Sequence, residues 1–462
     1  MDIAKLNNEQ LIKYIKLKIS EFDEVKERMS VGIRYYNGEH DIEKKQRLGI
    51  GENGKLMPIL NLPNTKITDN QYKKGVDQKI NYVLSQPPNI DSKDDKIKRV
   101  LTDIFDMRML RALSKVAKDT YNTGIGWLYI YTDGEKFLYK KMNSQEIIPL
   151  WEDSEKEKLQ GIIRLYSYEV FEDEQVKTKN QVHFYTKEKI SIYDYENDQL
   201  TKAKDSAYLE KGEAKYNYGK IPFVYFKLPD EKPLIYRVKN LQDALNTILS
   251  NFNDNMLEDK RNTILVLKNY DGTDLGEFRE KLAQYGAIKV TDADGMHGGV
   301  ETLEINVNSE NYKVLISVLK KAIKDNLRML DLSDEKIISQ PNTLTVKAMY
   351  SDMELDANAL ELEFTASFEY MVQFIKQIKS ISEDVKPQIK FKRSMMINSE
   401  TVVDMIQKST GIISRQTAIA KHPLVDDAQE ELKRLEEEQK HEQKYMQDDF
   451  SLGEKDDQLL EK

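Results

Sequence analysis

The chain contains no cysteine. That removes disulfides, thiol nucleophiles and thiolate metal sites at once, and it fits a reducing compartment. Histidine is almost as scarce. His40, His183, His297, His422 and His441 are the whole supply, and no two stand at ligand spacing on one helix. Each reads as a surface or loop residue. No apolar run approaches the roughly 18 residues needed to cross a bilayer. The opening MDIAKLNNEQLIKY has no signal-peptide core, so a cytoplasmic setting is expected. Positive charge is also short: 70 Lys and Arg face 79 Asp and Glu, for a net charge of −9. A protein that grips nucleic acid by its phosphates ordinarily shows a basic excess or patch. Tight general DNA binding is therefore disfavoured, whereas DNA passing nearby is not.

Catalytic motifs are missing as well. There is no G-x-x-x-x-G-K-[ST], no G-x-S-x-G and no H-E-x-x-H. In GIGENG, Gly49, Gly51 and Gly54 have dinucleotide-binding spacing. That motif works only between a strand and a helix, and here a polar stretch precedes it and Pro58 follows. It reads as a surface loop. Asp292 and Asp294 of DADG resemble the start of a calcium loop, but the next ligand position holds Met296, whose thioether suits a hard cation poorly. That stretch reads as a turn. Neither an enzyme nor a cofactor site is expected.

What is present is organisation. At 462 residues the chain exceeds one ordinary core, so two or more folding units are expected. Ile12, Ile15, Ile19, Phe22 and Val25 recur at helical spacing within 1–30. Ile67, Gly75, Val76, Ile80 and Val83 suggest a further helix before Pro87–Pro88, and residues 94–123 a helix or helix pair. From 125 to 228 short β-rich runs such as WLYIYT, GIIRLYSYEVF and PFVYFKL, parted by Gly and acidic turns, predict an antiparallel meander. Helix returns at 235–257, with Val238, Leu241, Leu245, Ile248, Phe252 and Met256 on one face. TILVLKNY and GAIKVT, flanking the helical DLGEFREKLAQYG, predict a small α+β module over 258–304. A helix follows at 309–329, then another from about 345 to 380, then the strand QIKFKRSM and helices over 399–445. The tail 446–462 has too little apolar content to fold.

On the 309–329 helix, Lys313, Lys320, Lys324 and Arg328 share one sector, opposite Leu315, Leu319 and Ile323. The residues alone read as a solvated basic face. Between this helix and the next lies RMLDLSDEKIISQPNTLTVKAM, residues 328–349, an acidic loop longer than the usual 2–8-residue helix connection.

The order of these parts resembles the portal proteins of long-tailed bacteriophages. RYYNGEHDI (34–42) and NLPNTKITDNQYKKGVDQKINYVLSQPPNI (61–90) look like that family's N-terminal signature. EIIPLWEDSEKEKLQGIIRLY (146–166), GKIPFVYF (219–226) and GIISRQTAIAKHPLVDDAQEELKRLEEE (411–438) resemble its middle and C-terminal segments. LPDEKPL at 228–234 departs from the family's more usual Asn pair.

The resemblance implies an α+β, portal-like fold with a mixed wing domain, two stem helices, a small clip, a long kinked helix and a helical crown. The wing would be 1–234 with 346–398, the stem helices 235–257 and 305–329, and the clip 258–304. The tunnel loop would be 330–345 and the crown 399–445. It implies a homo-oligomeric ring, usually of twelve subunits, at one capsid vertex of the virion, assembled in the host cytoplasm. Double-stranded DNA would pass through its channel. The implied partners are the terminase large subunit, a head-completion or adaptor protein, and the major capsid and scaffold proteins, with no membrane. Asp331, Leu332, Ser333, Asp334, Glu335 and Lys336 would meet DNA in the loop, and Lys313, Lys320, Lys324 and Arg328 along the stem. The chief alternative is a cytoplasmic structural or scaffold assembly protein that never handles DNA. A nucleotide-driven motor would need a phosphate-binding loop, and a sequence-specific DNA binder a basic reading helix.

Overall fold

The computed structural model describes residues 3–50, 55–59, 62–133, 136–172, 174–211, 214–259, 263–268, 299–304, 309–331, 343–382, 384–393, 399–425 and 428–441. The chain divides into two compact units, residues 1–329 with 355–393, and residues 330–354 with 394–462.

The first unit opens on helix α1 (Asn8–Asn37). Asn7 and Gln10 cap its start reciprocally, side chain to backbone in both directions, which satisfies amides that the helix leaves unpaired. Gly38 stops it at φ +95°, a left-handed conformation that costs glycine little. Buried Ile15, Phe22, Met29 and Tyr36 recur every seven residues, so they form one stripe. The helix outlasts the expected 1–30 because Tyr35 and Tyr36 continue its buried face. Gly32 lets the helix press on the chain beyond it: a Cβ there would sit 1.9 Å from the Asn122 carbonyl oxygen.

Strands β1 (Leu48–Ile50) and β2 (Leu56–Pro58) pair antiparallel; Gly49 lies in β1, and Gly51 and Gly54 lie outside the described residues. Next come α2 (Gln71–Leu84), β3 (Asn89–Asp91), α3 (Asp95–Ile104) and α4 (Met107–Thr123). The 94–123 stretch is thus a pair of helices. Asp94 and Asp106 each accept two backbone amides and start a new helix, as short acidic N-caps do.

The β-rich region is not one meander. Strands β4 (Ile125–Thr132) and β5 (Phe137–Met142) form a three-stranded sheet with a later strand. Strands β6 (Ile147–Trp151), β7 (Leu159–Glu172), β8 (Gln175–Tyr185), β9 (Ile190–Glu196) and β10 (Gln199–Ser206) make a sequential five-stranded antiparallel sheet. A small hairpin, β11 (Leu209–Lys211) and β12 (Ala214–Tyr216), follows. Strand β13 (Phe223–Lys227) then returns to the first sheet and pairs with β4. The reason is burial: β4 is apolar on both faces over most of its length and takes a central place, with β5 on one side and β13 on the other. Fully buried Trp127, Phe223 and Ile162 anchor the core. The rings of Tyr129 and Tyr185 lie 4.9 and 4.8 Å from that of Phe223. Burying each large apolar side chain contributes about 1.5–3 kcal/mol.

Helix α5 (Lys239–Asp259) follows a 3-10 turn at Leu234–Arg237. The helix expected from 235 therefore begins four residues later, because Leu234 and Ile235 are buried in the turn before it. Strand β14 (Thr263–Lys268) pairs antiparallel with β15 (Gly299–Glu304). Its partner is thus the end of the small module. GAIKVT and DLGEFREKLAQYG lie outside the described residues. Helix α6 (Ser309–Asn326) and the 37-residue α7 (Thr343–Lys379) come next, then β16 (Gln388–Lys390), which pairs with β3. From Leu355 onward α7 belongs to the first unit. There Phe364 and Phe368 pack on Phe226 of β13 at ring separations of 4.9 and 5.8 Å, and the Tyr370 hydroxyl donates to the Ile221 carbonyl at 2.8 Å.

In the second unit, α8 (Ser399–Lys408) is followed by α9 (Arg415–Lys421), capped by Ser414. Residues 428–441 are helical. The tail 446–462 lies outside the described residues. Among the described residues no helix is long and apolar enough to cross a membrane.

Candidate functional site

The two helices expected to form a stem, α5 and α6, pack side by side. Phe252 and Tyr312 meet at 4.9 Å between rings, and Asn255 Nδ2 donates to the Tyr312 hydroxyl at 2.8 Å. The face of α5 that carries most of the polar chemistry is a buried one. Gln242, Asn246, Ser250 and Asp254 recur every four residues and are all at most 3% exposed.

They hold an extended segment laid along the helix. Asp254 Oδ1 accepts from the Thr65 amide at 2.7 Å, Ser250 Oγ from Ile67 at 2.9 Å, Asn246 Oδ1 from Asp69 at 3.1 Å and Gln242 Oε1 from Gln71 at 3.1 Å. The match is geometric. Four helical residues advance about 6 Å, and two extended residues about 6.6 Å. Side chains one helical step apart therefore meet every second amide of the segment. Each buried polar side chain is satisfied by a backbone that would otherwise lack partners.

A second layer joins this ladder to α1. The Asn246 amide nitrogen lies 2.7 Å from His40 Nδ1, and His40 Nε2 lies 3.0 Å from the Tyr35 carbonyl. Since Asn246 donates through its nitrogen, His40 accepts at Nδ1 and donates from Nε2, the neutral tautomer. The ring is 1% exposed and stacks on Tyr35 at 4.4 Å. His40 is thus a core residue, contrary to the surface reading. Burial holds its pKa below the ordinary histidine value. Lys239 bridges Asp41 at 2.6 Å and Asp243 at 2.8 Å, and Arg34 reaches Asp41 at 2.6 Å. Although burial works against it, these donors keep the Asp41 carboxyl well below the usual range.

A pH dependence follows. The unfolded chain protonates His40 near pH 6.5, whereas the folded chain resists. The resulting stabilisation is complete above that pH and is lost as the pH falls below it. Thermal melts at pH 7.5 and 5.5 should show a loss at the lower pH that is smaller in His40→Gln. An identical loss in both proteins would remove His40 as the cause.

A third arrangement sits between the start of α5 and the end of α6. Asp356 of α7 accepts Lys79 of α2 at 2.7 Å and Arg237 at 2.8 Å on Oδ2, and Arg328 at 2.8 Å on Oδ1. Lys79 is 2% exposed. Burial lowers its pKa, and Asp356 opposes that shift. Burial also raises the Asp356 carboxyl, but the three cations outweigh it and hold it low. Arg237 precedes α5 and Arg328 follows α6, so one carboxylate ties the start of α5 to the end of α6. Arg328 adopts φ +51°, a left-handed turn that costs a non-glycine residue about 1–2 kcal/mol. The Met329 amide closes that turn on the Lys324 carbonyl at 3.0 Å.

The basic sector of α6 is only partly turned to solvent. Lys313 is exposed and pairs with Glu310 at 3.7 Å. Lys320 reaches Asp69 at 2.8 Å, the residue whose backbone the α5 ladder holds. Lys324 is half-buried, and Arg328 serves Asp356. Asp331 is the last described residue of this stretch. Leu332, Ser333, Asp334, Glu335 and Lys336 lie outside the described residues.

Sequence reading missed Lys79, Asp356 and the α5 ladder. The ladder has a signal, since Gln, Asn, Ser and Asp recur every fourth residue opposite the apolar positions. Asp356 has none, being one of 79 acidic residues.

Two of the segments that carry the resemblance meet here: RYYNGEHDI and residues 65–71 both dock on α5. A family model described as "Phage portal protein, SPP1 Gp6-like" matches residues 15–445. A portal protein of Clostridium phage phiCD119 is 28% identical over 433 residues, covering 90% of this chain and 94% of that protein. A portal protein of Bacillus phage SPP1 is 27% identical over 420 residues, covering 88% of this chain and 82% of that protein.

Proposed function

We propose that this chain, which belongs to the SPP1 Gp6-like family of phage portal proteins, forms a ring at one vertex of the capsid through which double-stranded DNA is packaged and later ejected. The observation that carries the reading is the family match, which runs over residues 15–445. In this reading α5 and α6 are the stem, residues 258–304 the clip, residues 330–345 the tunnel loop and residues 399–445 the crown. The ring has about twelve copies. The clip receives the terminase large subunit during packaging and a head-completion protein afterwards, and the outer surface meets the major capsid and scaffold proteins. The protein acts as a conduit, not as an enzyme.

A conduit must not hold its cargo. Duplex DNA carries one negative charge per about 1.7 Å of axis. Asp331, Asp334 and Glu335, repeated around a ring, repel phosphates and let the duplex slide. Lys336 and the exposed lysines of α6 offset part of that repulsion. The internal pairing of Lys320 and Arg328 keeps two further cations from gripping the backbone. Replacing Asp331, Asp334 and Glu335 together by Ser should lower the yield of DNA-filled heads and slow ejection while leaving ring assembly intact. Normal packaging and ejection by that variant would sink the charge argument.

A further inference from the structure

A ring built from identical chains needs two different complementary surfaces on each copy, because a head-to-tail contact repeats around the closed assembly. The first unit carries a pair that fit each other. One is the far end of the β7–β8 hairpin. Strand β6 pairs with β7 only as far as Arg164, and β9 pairs with β8 only from Gln181. Residues 166–172 and 175–180 therefore form a two-stranded arm beyond the sheet, about 20 Å long. Such a ribbon is marginal alone in water. Phe171 and Val176 stand directly opposite each other at its end and are 74% and 64% exposed. Around them the sequence is acidic: Glu169, Asp173 and Glu174 stand against Lys177, while Glu172 pairs with Lys179 across the hairpin.

The other surface is a groove of about 780 Å³ between α7 and β16. Leu362, Val372 and Ile389 give it an apolar lining, and Leu362 is 74% exposed. Its charge is opposite to that of the arm. Exposed Lys386 and Lys390 line it against Glu361 and Glu369; Lys220 donates to Gln373, the buried Lys376 donates to the Val385 carbonyl, and Arg393 already pairs with Glu361. Within one chain the apolar arm tip and the apolar groove mouth both face solvent.

We propose that the β7–β8 arm of one copy seats Phe171 and Val176 in the α7/β16 groove of the next, with the acidic tip against Lys386 and Lys390. The contact deepens the portal reading and rests on it. It also gives the overlong hairpin a role that the five-stranded sheet does not require.

The absence of native cysteine makes the test direct. Chains carrying Val176→Cys and chains carrying Leu362→Cys are assembled together and treated with a short bis-maleimide. The expected product is a dimer whose linked peptides contain positions 176 and 362. In a separate pair of variants, Glu172→Lys with Glu174→Lys should reduce the ring fraction by about tenfold, and adding Lys386→Glu with Lys390→Glu should restore it. Rings of normal size without the 176–362 link, or a charge swap that fails to restore them, would overturn the contact and leave the portal reading standing. Failure of the unaltered chain to form any ring, even alongside the phage shell and scaffold proteins, would overturn both.

Discussion

Asp356→Ala is expected to destabilise the first unit by about 3–5 kcal/mol, the usual cost of breaking a buried ion pair by removing one partner. The loss comes mainly from Lys79. Arg237 and Arg328 are 38% and 43% exposed in their side chains and can turn to water, whereas the Lys79 ammonium, 2% exposed, cannot. Lys79→Met should be far milder, because two arginines remain on Asp356 and the apolar side chain suits the buried site. The double variant Asp356→Ala with Lys79→Met should recover most of the loss, giving a coupling energy of the size expected for groups in one network. Urea unfolding followed by tryptophan fluorescence reads the right region, since Trp127 and Trp151 both lie in the first unit. A single-variant loss below about 1 kcal/mol, typical of a surface pair, would show that Asp356 does not bind the start of α5 to the end of α6. The variant should also loosen the end of α6, where Arg328 would keep its left-handed turn without the ion pair that offsets the strain.

The second large effect concerns the ladder. Asn246→Ala removes the acceptor of the Asp69 amide and the donor to His40 in one step. Each buried group left without a partner costs about 1–3 kcal/mol, so a loss of about 3 kcal/mol is expected. Ser250→Ala strands only the Ile67 amide and should cost about 1 kcal/mol. Amide hydrogen exchange separates this account from a general loosening. Thr65, Ile67, Asp69 and Gln71 should lose protection together in Asn246→Ala, while the amides of α1 and the five-stranded sheet keep theirs. Unchanged protection at those four residues would mean that the segment is held by something else.

These two networks also mark where sequence reading stops. The helices α1, α2, α5 and α6 were legible because apolar residues at a period near 3.6 must face a core. The α3–α4 break is one of two options the sequence offers for 94–123, and the cap that Asp106 provides to α4 decides between them. The strands from 125 to 228 announced themselves by β-branched and aromatic runs. Their division between two sheets did not, because the pairing of Phe223–Lys227 with Ile125–Thr132 joins segments about a hundred residues apart and local pattern carries no such information. His40 was misread for a similar reason. A lone histidine in a polar stretch looks exposed until Asn246, more than two hundred residues later, covers it. The site itself divides the same way. The basic sector of α6 was visible as a pattern, but the pairing of Lys320 with Asp69 and of Arg328 with Asp356 depends on tertiary contact. The segments that carry the family likeness were legible as segments. The physical role of two of them, 34–42 and 65–71, which clamp α5 through the side chains of Asn246, Asp254 and Lys239, becomes visible only when they are folded against it.

The central claim is a closed conduit, and electron cryo-microscopy of the purified protein, with native mass spectrometry for the subunit count, tests it most directly. The account predicts closed rings of about a dozen copies around an open channel, with α5 and α6 forming its wall. Monomers or open-ended filaments, persisting when the phage shell and scaffold proteins are supplied, would contradict it.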